Sequence, residues 1–72
     1  YQLPKSSQVK LTVYNTLGQE VHTLVNERQP AGQQSVIWDG TDQHGKQVSS
    51  GFYIYQIKAG EYVRNRRMLL IR

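Results

Sequence analysis

Gln8–Tyr14, with the sequence Gln-Val-Lys-Leu-Thr-Val-Tyr, alternates between apolar and polar side chains over its middle five positions. Val9, Leu11 and Val13 fall on every second position, so a β-strand places all three on one face of a sheet. The residues between them then lie on the opposite, solvated face. This period of two predicts a half-buried β-strand, and it recurs along most of the chain.

Other strands are predicted where β-branched and aromatic residues cluster between turn signals. Phe52–Lys58 carries the strongest pattern, because most of its residues are β-branched or aromatic. The remaining predicted strands are Tyr1–Leu3, Glu20–Val25, Gln34–Trp38 and Glu61–Ile71. The turns and loops between strands are predicted at Asn15–Gly18, Asn26–Gly32, Asp39–Gly51 and Ala59–Gly60.

Short strands with no helical period between them exclude a parallel sheet built from βαβ units. The sequence therefore predicts an all-β fold of two antiparallel sheets packed face to face, with a small closed barrel as the alternative. Trp38, the only tryptophan, is expected at the centre of the core. Its replacement by alanine is expected to cost roughly 3–5 kcal/mol. Leu11, Ile54 and Leu70 are expected in the same core.

The 72 residues leave room for one domain, expected over residues 1–72. The absence of cysteine excludes disulfides and thiolate metal sites within the chain. No window approaches the roughly 18 apolar residues of a transmembrane helix. No signal peptide is visible, and the abrupt start at Tyr1 predicts a domain cut from a longer protein.

The net charge of +4 is concentrated late in the chain. Five of the nine basic residues are Lys58, Arg64, Arg66, Arg67 and Arg72. An anionic partner is one interpretation of this asymmetry. The preferred interpretation is that an alternating strand places its arginines on a solvated face.

The glycine-rich loop holds the one cluster that resembles a cation site, formed by Asp39, Asp42 and His44. Calcium prefers several carboxylate and carbonyl oxygens, but the spacing of a calcium-binding loop is not met. The preferred interpretation is that the two carboxylates accept hydrogen bonds within their own turns. No serine follows the strand-to-helix pattern of a catalytic nucleophile. The sequence thus predicts no enzyme activity, no metal and no cofactor.

Aromatic residues on the strands suggest two binding hypotheses. Tyr14, Tyr53, Tyr55 and Tyr62, together with the late arginines, could stack on nucleic-acid bases or on sugar rings. Tyrosines on strands are also common as cross-strand packing. No ribonucleoprotein-type motif is present, so no nucleic-acid partner is predicted, and a carbohydrate-binding face stays as an alternative.

Four segments in order carry a family pattern. Val9–Val21 contains V-x-L-x-V-Y-N-x-x-G-x-x-V, Ala31–Gly40 contains A-G-x-x-x-x-x-W-D-G, and Gly45–Tyr55 contains G-x-x-V-x-S-G-x-Y-x-Y. Arg66–Arg72 is basic, then aliphatic, and closes on arginine. Together they resemble the type A C-terminal sorting domains of the bacterial type IX secretion system. Those domains are related to the immunoglobulin-like domain of the flagellar hook-capping protein FlgD.

The resemblance implies a small immunoglobulin-like antiparallel β-sandwich of about six to seven strands. It also implies an export signal that directs a cargo through the periplasm and across the outer membrane to the cell surface or the medium. The implied partners are the outer-membrane secretion machinery and an N-terminal cargo domain. The family's upstream Asn-Pro-Asn-Pro-type segment does not precede Tyr1 here, so the first strand is expected to be incomplete.

The implied recognition element is the last strand, whose backbone could add to a strand of a receptor. The arginines at its ends would orient that receptor by charge. The expected recognition residues are Arg66, Arg67, Met68, Leu69, Leu70, Ile71 and Arg72. The expected structural residues of the family motifs are Gly18, Trp38, Asp39, Gly40, Gly45, Gly51 and Tyr53.

Two other functions compete with the export signal. One is a structural immunoglobulin-like module, either FlgD-like or a spacer in a surface protein, which would dock onto neighbours. The other is a carbohydrate-binding accessory module of a secreted protein. One sandwich fold can host all three functions.

Overall fold

Six β-strands form within residues 1–3 and 5–71, the part of the chain that the computed structural model describes. In chain order they are β1 (Gln2–Leu3), β2 (Ser7–Asn15), β3 (Glu20–Gln29), β4 (Gly32–Gln33), β5 (Gly51–Ala59) and β6 (Tyr62–Leu70). The predicted strands around Val9, Phe52 and Tyr62 are confirmed, and so are the tight turns that precede β3 and β6.

The long strands form one antiparallel sheet in the order β3-β2-β5-β6. The short strands β1 and β4 pair with each other as a two-stranded ribbon, and Leu3 of that ribbon packs into the core of the large sheet. The second layer is completed by irregular chain between β4 and β5. The predicted all-β, immunoglobulin-like antiparallel sandwich is therefore confirmed, with a second layer that is small and largely irregular.

The core follows the alternation of β2 and β5. Val9 and Val13 are completely buried, and Leu11 lies between them on the same face. Ile57 pairs with Leu11 from the neighbouring strand and is buried as well. Each such side chain contributes roughly 1.5–3 kcal/mol on transfer from water, so the central strand pair supplies most of the apolar stabilisation.

Strand β3 departs from strict alternation because it contains β-bulges. The register with β2 shifts between Leu11 and Thr12, which leaves Leu24 as an extra residue on β3. Val25 is buried in the core, and the adjacent Leu24 packs against the same cluster. A bulge thus allows two consecutive apolar residues to contribute to one core.

The predicted strand Gln34–Trp38 is wrong. In this part of the described chain, only Gly32–Gln33 forms a strand. Its pairing with β1 ends at Tyr1 and Gln34, whose backbones exchange two hydrogen bonds of 2.7 and 2.9 Å. Beyond this pair, no strand among the described residues pairs with segment 35–38. Trp38 packs on Tyr53, but Ile37 is 91% exposed and no backbone ladder holds this segment in a strand.

The predicted loop at Asn26–Gly32 is also wrong over its first half. Strand β3 continues to Gln29, which pairs with Ser7 at the start of β2. The residues of this extension are polar, but β2 supplies a full ladder of backbone partners. Backbone pairing with an adjacent long strand overrides the weak strand propensity of the polar side chains.

The expected core members are partly wrong. Leu11 is buried, whereas Trp38 is half-buried and lies outside the buried cluster. Leu70 is half-buried at the end of β6. Ile54 is an even-numbered residue of β5, so it lies on the opposite face of the sheet from the buried Tyr53 and Ile57.

Candidate functional site

An apolar cleft of about 710 Å³ lies between the sheet and the irregular segment 35–38. We call it the β6 cleft, because alternate residues of β6 form one side of it. Its floor comes from the central strands, and Val36 and Trp38 form the opposite side. The residues that line it are Tyr1, Leu11, Val13, Leu24, Ser35, Val36, Trp38, Tyr55, Ile57, Tyr62, Arg64, Arg66, Met68, Leu69 and Leu70.

The charged side chains of the β6 cleft come from strand β6. Arg64 and Arg66 both line it, and the Arg64 guanidinium carbon lies 5.6 Å from the centre of the Tyr62 ring. The lining residues include no aspartate or glutamate. The site therefore combines an apolar interior with two cationic side chains at one rim, so an anionic group could be held at that rim.

The structure separates the two arginines that the sequence grouped together. Arg66 lines the cleft, whereas Arg67 pairs across to Ile54 on the other face of the sheet. The Arg67 guanidinium carbon lies 5.3 Å from the centre of the Phe52 ring on that outer face. Arg64, which was not predicted as a site residue, takes the place of Arg67 in the cleft. The signal was available in the period of two along the strand.

The apolar residues of the predicted recognition element are also distributed over both faces of the sheet. Met68 and Leu70 are half-buried in the cleft, on the face that carries Arg66. Leu69 also lines the cleft, but it is exposed and pairs with Phe52 across the strands. Ile71 follows the end of β6 and is exposed. Arg72 lies outside the described residues.

The backbone edge of β6 borders the cleft. Within the described chain, β6 pairs with β5 and with no other strand. Strand β3, at the other edge of the sheet, is partly covered by the loop before β5. There the Gln43 amide donates to the Val21 carbonyl at 3.0 Å, and the Thr23 amide donates to Gln43 Oε1 at 2.9 Å.

Trp38 anchors the loop that provides this cover. Its Nε1 donates to the Thr41 carbonyl at 2.8 Å, and His22 Nδ1 lies 2.9 Å from the same oxygen. The Trp38 and Tyr53 rings meet edge to face with centroids 5.1 Å apart. The Tyr53 hydroxyl in turn donates to the Ser49 carbonyl at 2.6 Å. These motif residues thus hold the irregular segment against the sheet.

The carboxylates of the loop serve its turns. Asp39 Oδ1 accepts from the Thr41 amide at 3.2 Å and from its hydroxyl at 2.5 Å. Asp42 Oδ1 accepts from the amides of His44 and Lys46, both at 2.9 Å. These hydrogen bonds hold the pKa of each carboxyl below its usual value. The largest cause is the bond from the Thr41 hydroxyl for Asp39 and the bond from the Lys46 amide for Asp42. Both carboxylates therefore accept hydrogen bonds within their own turns, as the preferred interpretation of the sequence has it.

The calcium hypothesis gains no support from this geometry. Among the described residues, no group of three or more His, Cys, Asp or Glu side chains is placed to hold a metal ion. The same carboxylates that could ligate a cation are occupied by backbone amides.

The motif glycines lie at bends of the chain. Gly18 closes the β2–β3 turn with φ of 80°, where its amide donates to the Asn15 carbonyl. Gly51 opens β5 with φ of 148°, a conformation that favours glycine. Gly40 and Gly45 lie within the loop between β4 and β5.

The four tyrosines of the stacking hypotheses do not share one surface. Tyr53 is buried, and Tyr14 pairs with Ile54 on the outer face of the sheet. Tyr55 and Tyr62 line the β6 cleft. Tyr1 also lines it, and partial burial raises the pKa of its phenol, partly opposed by a hydrogen bond to Gln29 and reinforced by the charge of Glu27.

The family of the chain follows from comparison with protein-family models. A model described as the FlgD Ig-like domain matches residues 1–62. No curated protein and no solved structure matches the chain significantly. In the described residues, no helix has the length and apolar character needed to cross a membrane.

Proposed function

Because the chain belongs to the FlgD Ig-like domain family, we propose that it is a non-catalytic structural module that docks onto a neighbouring protein. We place that assembly outside the cytoplasm, on the cell surface or with a flagellar structure. The observation that carries the proposal is the open backbone edge of β6 beside an apolar cleft. Exposed apolar surface rimmed by polar groups is typical of protein interaction sites.

The contacts of the titratable side chains support a non-catalytic role. His22, Asp39 and Asp42 are among the residues whose chemistry suits acid–base catalysis, and each of these three bonds to the loop backbone. The lining of the β6 cleft includes Arg64 and Arg66 but no aspartate, glutamate or histidine. The arrangement is suited to holding a partner in place.

A spacer experiment tests the structural role. The chain is inserted between two unrelated folded proteins, and its thermal unfolding midpoint is compared with that of the isolated chain. A structural module is expected to keep its midpoint within about 2 °C, because among the described residues the chain ends supply only Leu3 to the buried core and Tyr1 to the residues packed against it. A loss of cooperative unfolding in the insertion would contradict the proposal.

The second candidate is the type IX sorting signal, favoured by the four sequence segments that resemble that family and by the accessible β6 edge. In this case the partners are the outer-membrane secretion machinery and an N-terminal cargo domain. The chain is placed behind a signal peptide and a fluorescent reporter in a host with type IX secretion. Matched fusions lack Met68–Arg72 or carry Arg66→Glu and Arg67→Glu.

The location of the reporter separates the two candidates. A structural module leaves the folded fusion in the periplasm. Reporter at the surface, lost when a folded Arg66/Arg67 variant replaces the parent chain, would instead establish a sorting signal. Circular dichroism of each purified chain identifies variants that do not fold.

The carbohydrate hypothesis is disfavoured by the chemistry of the cleft. Trp38, Tyr55 and Tyr62 supply aromatic surface, but the lining contains no asparagine, aspartate, glutamine or glutamate. These side chains are the usual acceptors for sugar hydroxyls. Quenching of Trp38 fluorescence by a panel of oligosaccharides would reverse this conclusion.

A further inference from the structure

The β6 edge is the side of the sheet at which another strand can add. An edge strand presents unpaired N–H and C=O groups at the spacing of an extended peptide. On β3, Gln43 occupies two of these groups, at Val21 and Thr23. On β6, no described strand or loop is paired with the outer edge. A partner strand therefore meets less competition at β6.

The side chains beside this edge define what a partner strand must carry. The β6 residues that line the cleft are Tyr62, Arg64, Arg66, Met68, Leu69 and Leu70. On the face that carries Arg64, the positions from Arg64 onward are two cationic residues followed by two apolar ones, Met68 and Leu70. Alternate residues of an added strand would face the same cleft. Apolar side chains suit the half near Leu70. Carboxylates suit the half near Arg64, because the cleft lining supplies none.

A second copy of the chain does not meet this requirement. Pairing of β6 with itself about a two-fold axis near the middle of the strand would place Arg66 opposite Arg66. Like charges directly opposite each other destabilise a strand pair. The complementary occupant is a segment of negative charge.

We infer that the β6 edge and its cleft bind an extended peptide whose cleft-facing side chains are apolar opposite Met68 and Leu70 and acidic opposite Arg64 and Arg66. This inference rests on the proposed docking role and names the chemistry of the partner. Backbone hydrogen bonds to β6 supply sequence-independent affinity, and the cleft supplies selectivity through alternate side chains.

A designed peptide tests the inference. The probe is Val-Thr-Val-Thr-Glu-Thr-Glu for antiparallel addition, and the reversed sequence serves for parallel addition. Trp38 lines the cleft and is the only tryptophan, so its fluorescence reports occupancy. Peptides with both glutamates replaced by glutamine are the matched controls. The glutamate peptide is expected to bind about tenfold more tightly, with the difference shrinking at high salt.

Arginine variants locate the site. Arg66→Gln and Arg64→Gln are each expected to weaken binding of the glutamate peptide about tenfold. Arg67→Gln removes the same charge from the outer face, and it is expected to change affinity by less than about twofold. Circular dichroism confirms that the compared variants fold.

Four results would overturn the inference. They are no binding of either peptide order, equal affinity for the glutamate and glutamine peptides, an equal effect of Arg67→Gln, and self-association of the chain that the peptide competes away. The last result would make a second copy the occupant. The spacer experiment uses no peptide, so the structural role can stand while this partner chemistry fails.

Discussion

The two edges of the four-stranded sheet are protected in different ways. Strand β3 is covered by a loop, in which Gln43 bonds to Val21 and Thr23. The outer edge of β6 has no such cover among the described residues, but the strand carries three arginines. Natural sheets use both devices, cover and charge, to avoid edge-to-edge aggregation.

The two devices have different consequences for function. Where a covering loop occupies backbone groups, here at Val21 and Thr23, it blocks an incoming strand whatever the sequence of that strand. Charge blocks only strands of the same sign, and it attracts those of the opposite sign. The β3 edge is thus a structural boundary, and the β6 edge is selective. We expect changes at the first to alter stability and changes at the second to alter association.

The largest expected effect comes from removing the anchor of the β3 cover. Trp38→Ala eliminates the bond to the Thr41 carbonyl and the edge-to-face contact with Tyr53. Because Trp38 is half-buried, the expected loss is about 3 kcal/mol, the lower end for a tryptophan. Urea unfolding measures this loss, and hydrogen exchange at the Thr23 amide should accelerate as the loop detaches.

Trp38→Phe is the matched control. It retains an aromatic ring beside Tyr53 but cannot donate to Thr41, so we expect a loss of only about 1 kcal/mol. If both variants unfold at the same urea concentration as the parent chain, Trp38 does not anchor the loop.

The second prediction removes charge from the selective edge. With Arg64→Val and Arg66→Val together, β6 becomes a largely apolar edge strand without cover, and we expect self-association to strengthen at least about tenfold. Sedimentation velocity over a range of concentrations measures the change. Lys10→Val with Lys58→Val removes the same charge from the exposed face of the two central strands.

That control distinguishes an edge effect from a loss of net charge. Both double variants lower the net charge by two, but only one alters an edge strand. Equal self-association of the two would show that overall charge, and not the β6 edge, keeps the chain apart.

The sequence could predict those features of the fold that follow from a local pattern of residues. Strand β2 was predictable from its period of two, and β5 and β6 were predictable from their composition between turn signals. The loop before β5 was also predictable from its glycines and aspartates. Applied residue by residue along β6, the same period would also have put Arg64 with Arg66 and separated Arg67 from both.

Features that depend on a distant partner were not predictable. Gln34–Trp38 has strand-like composition, but no described strand pairs with segment 35–38. Trp38 instead bonds to the nearby Thr41 carbonyl and packs on the distant Tyr53 ring. The polar end of β3 looks like a loop, yet β2 pairs with it to Gln29. The cleft depends on how the irregular segment lies over the sheet, which local pattern does not encode.

The third prediction opens the β3 edge directly. Gln43→Ala removes the acceptor of the Thr23 amide but retains the backbone bond from residue 43 to Val21. We expect a loss of about 0.5–1 kcal/mol, because the bond is exposed. Exchange at the Thr23 amide should accelerate while exchange along β6 stays constant. Gln43→Glu keeps an acceptor oxygen, and it should restore most of the protection.

The smallest effect is expected from pH, acting on the turn that shapes the covering loop. Asp42 accepts two backbone amides, and these hold its pKa in the folded chain below its usual value of 3.8. The unfolded chain therefore binds the proton more readily. This contribution to stability is fully present above about pH 4, and it is lost as the pH falls through the folded value.

Thermal unfolding between about pH 6 and pH 2.5 measures this dependence. Asp42→Asn keeps an oxygen acceptor but cannot ionise, so its unfolding midpoint should fall less steeply with acid than that of the parent chain. The covered β3 edge should loosen first, seen as faster exchange at Thr23, because the loop that holds Gln43 depends on the Asp42 turn. Strand β6 contains no aspartate or glutamate, so exchange along its edge should not follow the acid transition. Parallel loosening of both edges would mean that acid acts on the sheet as a whole, and the distinction between a covered and a charged edge would then fail.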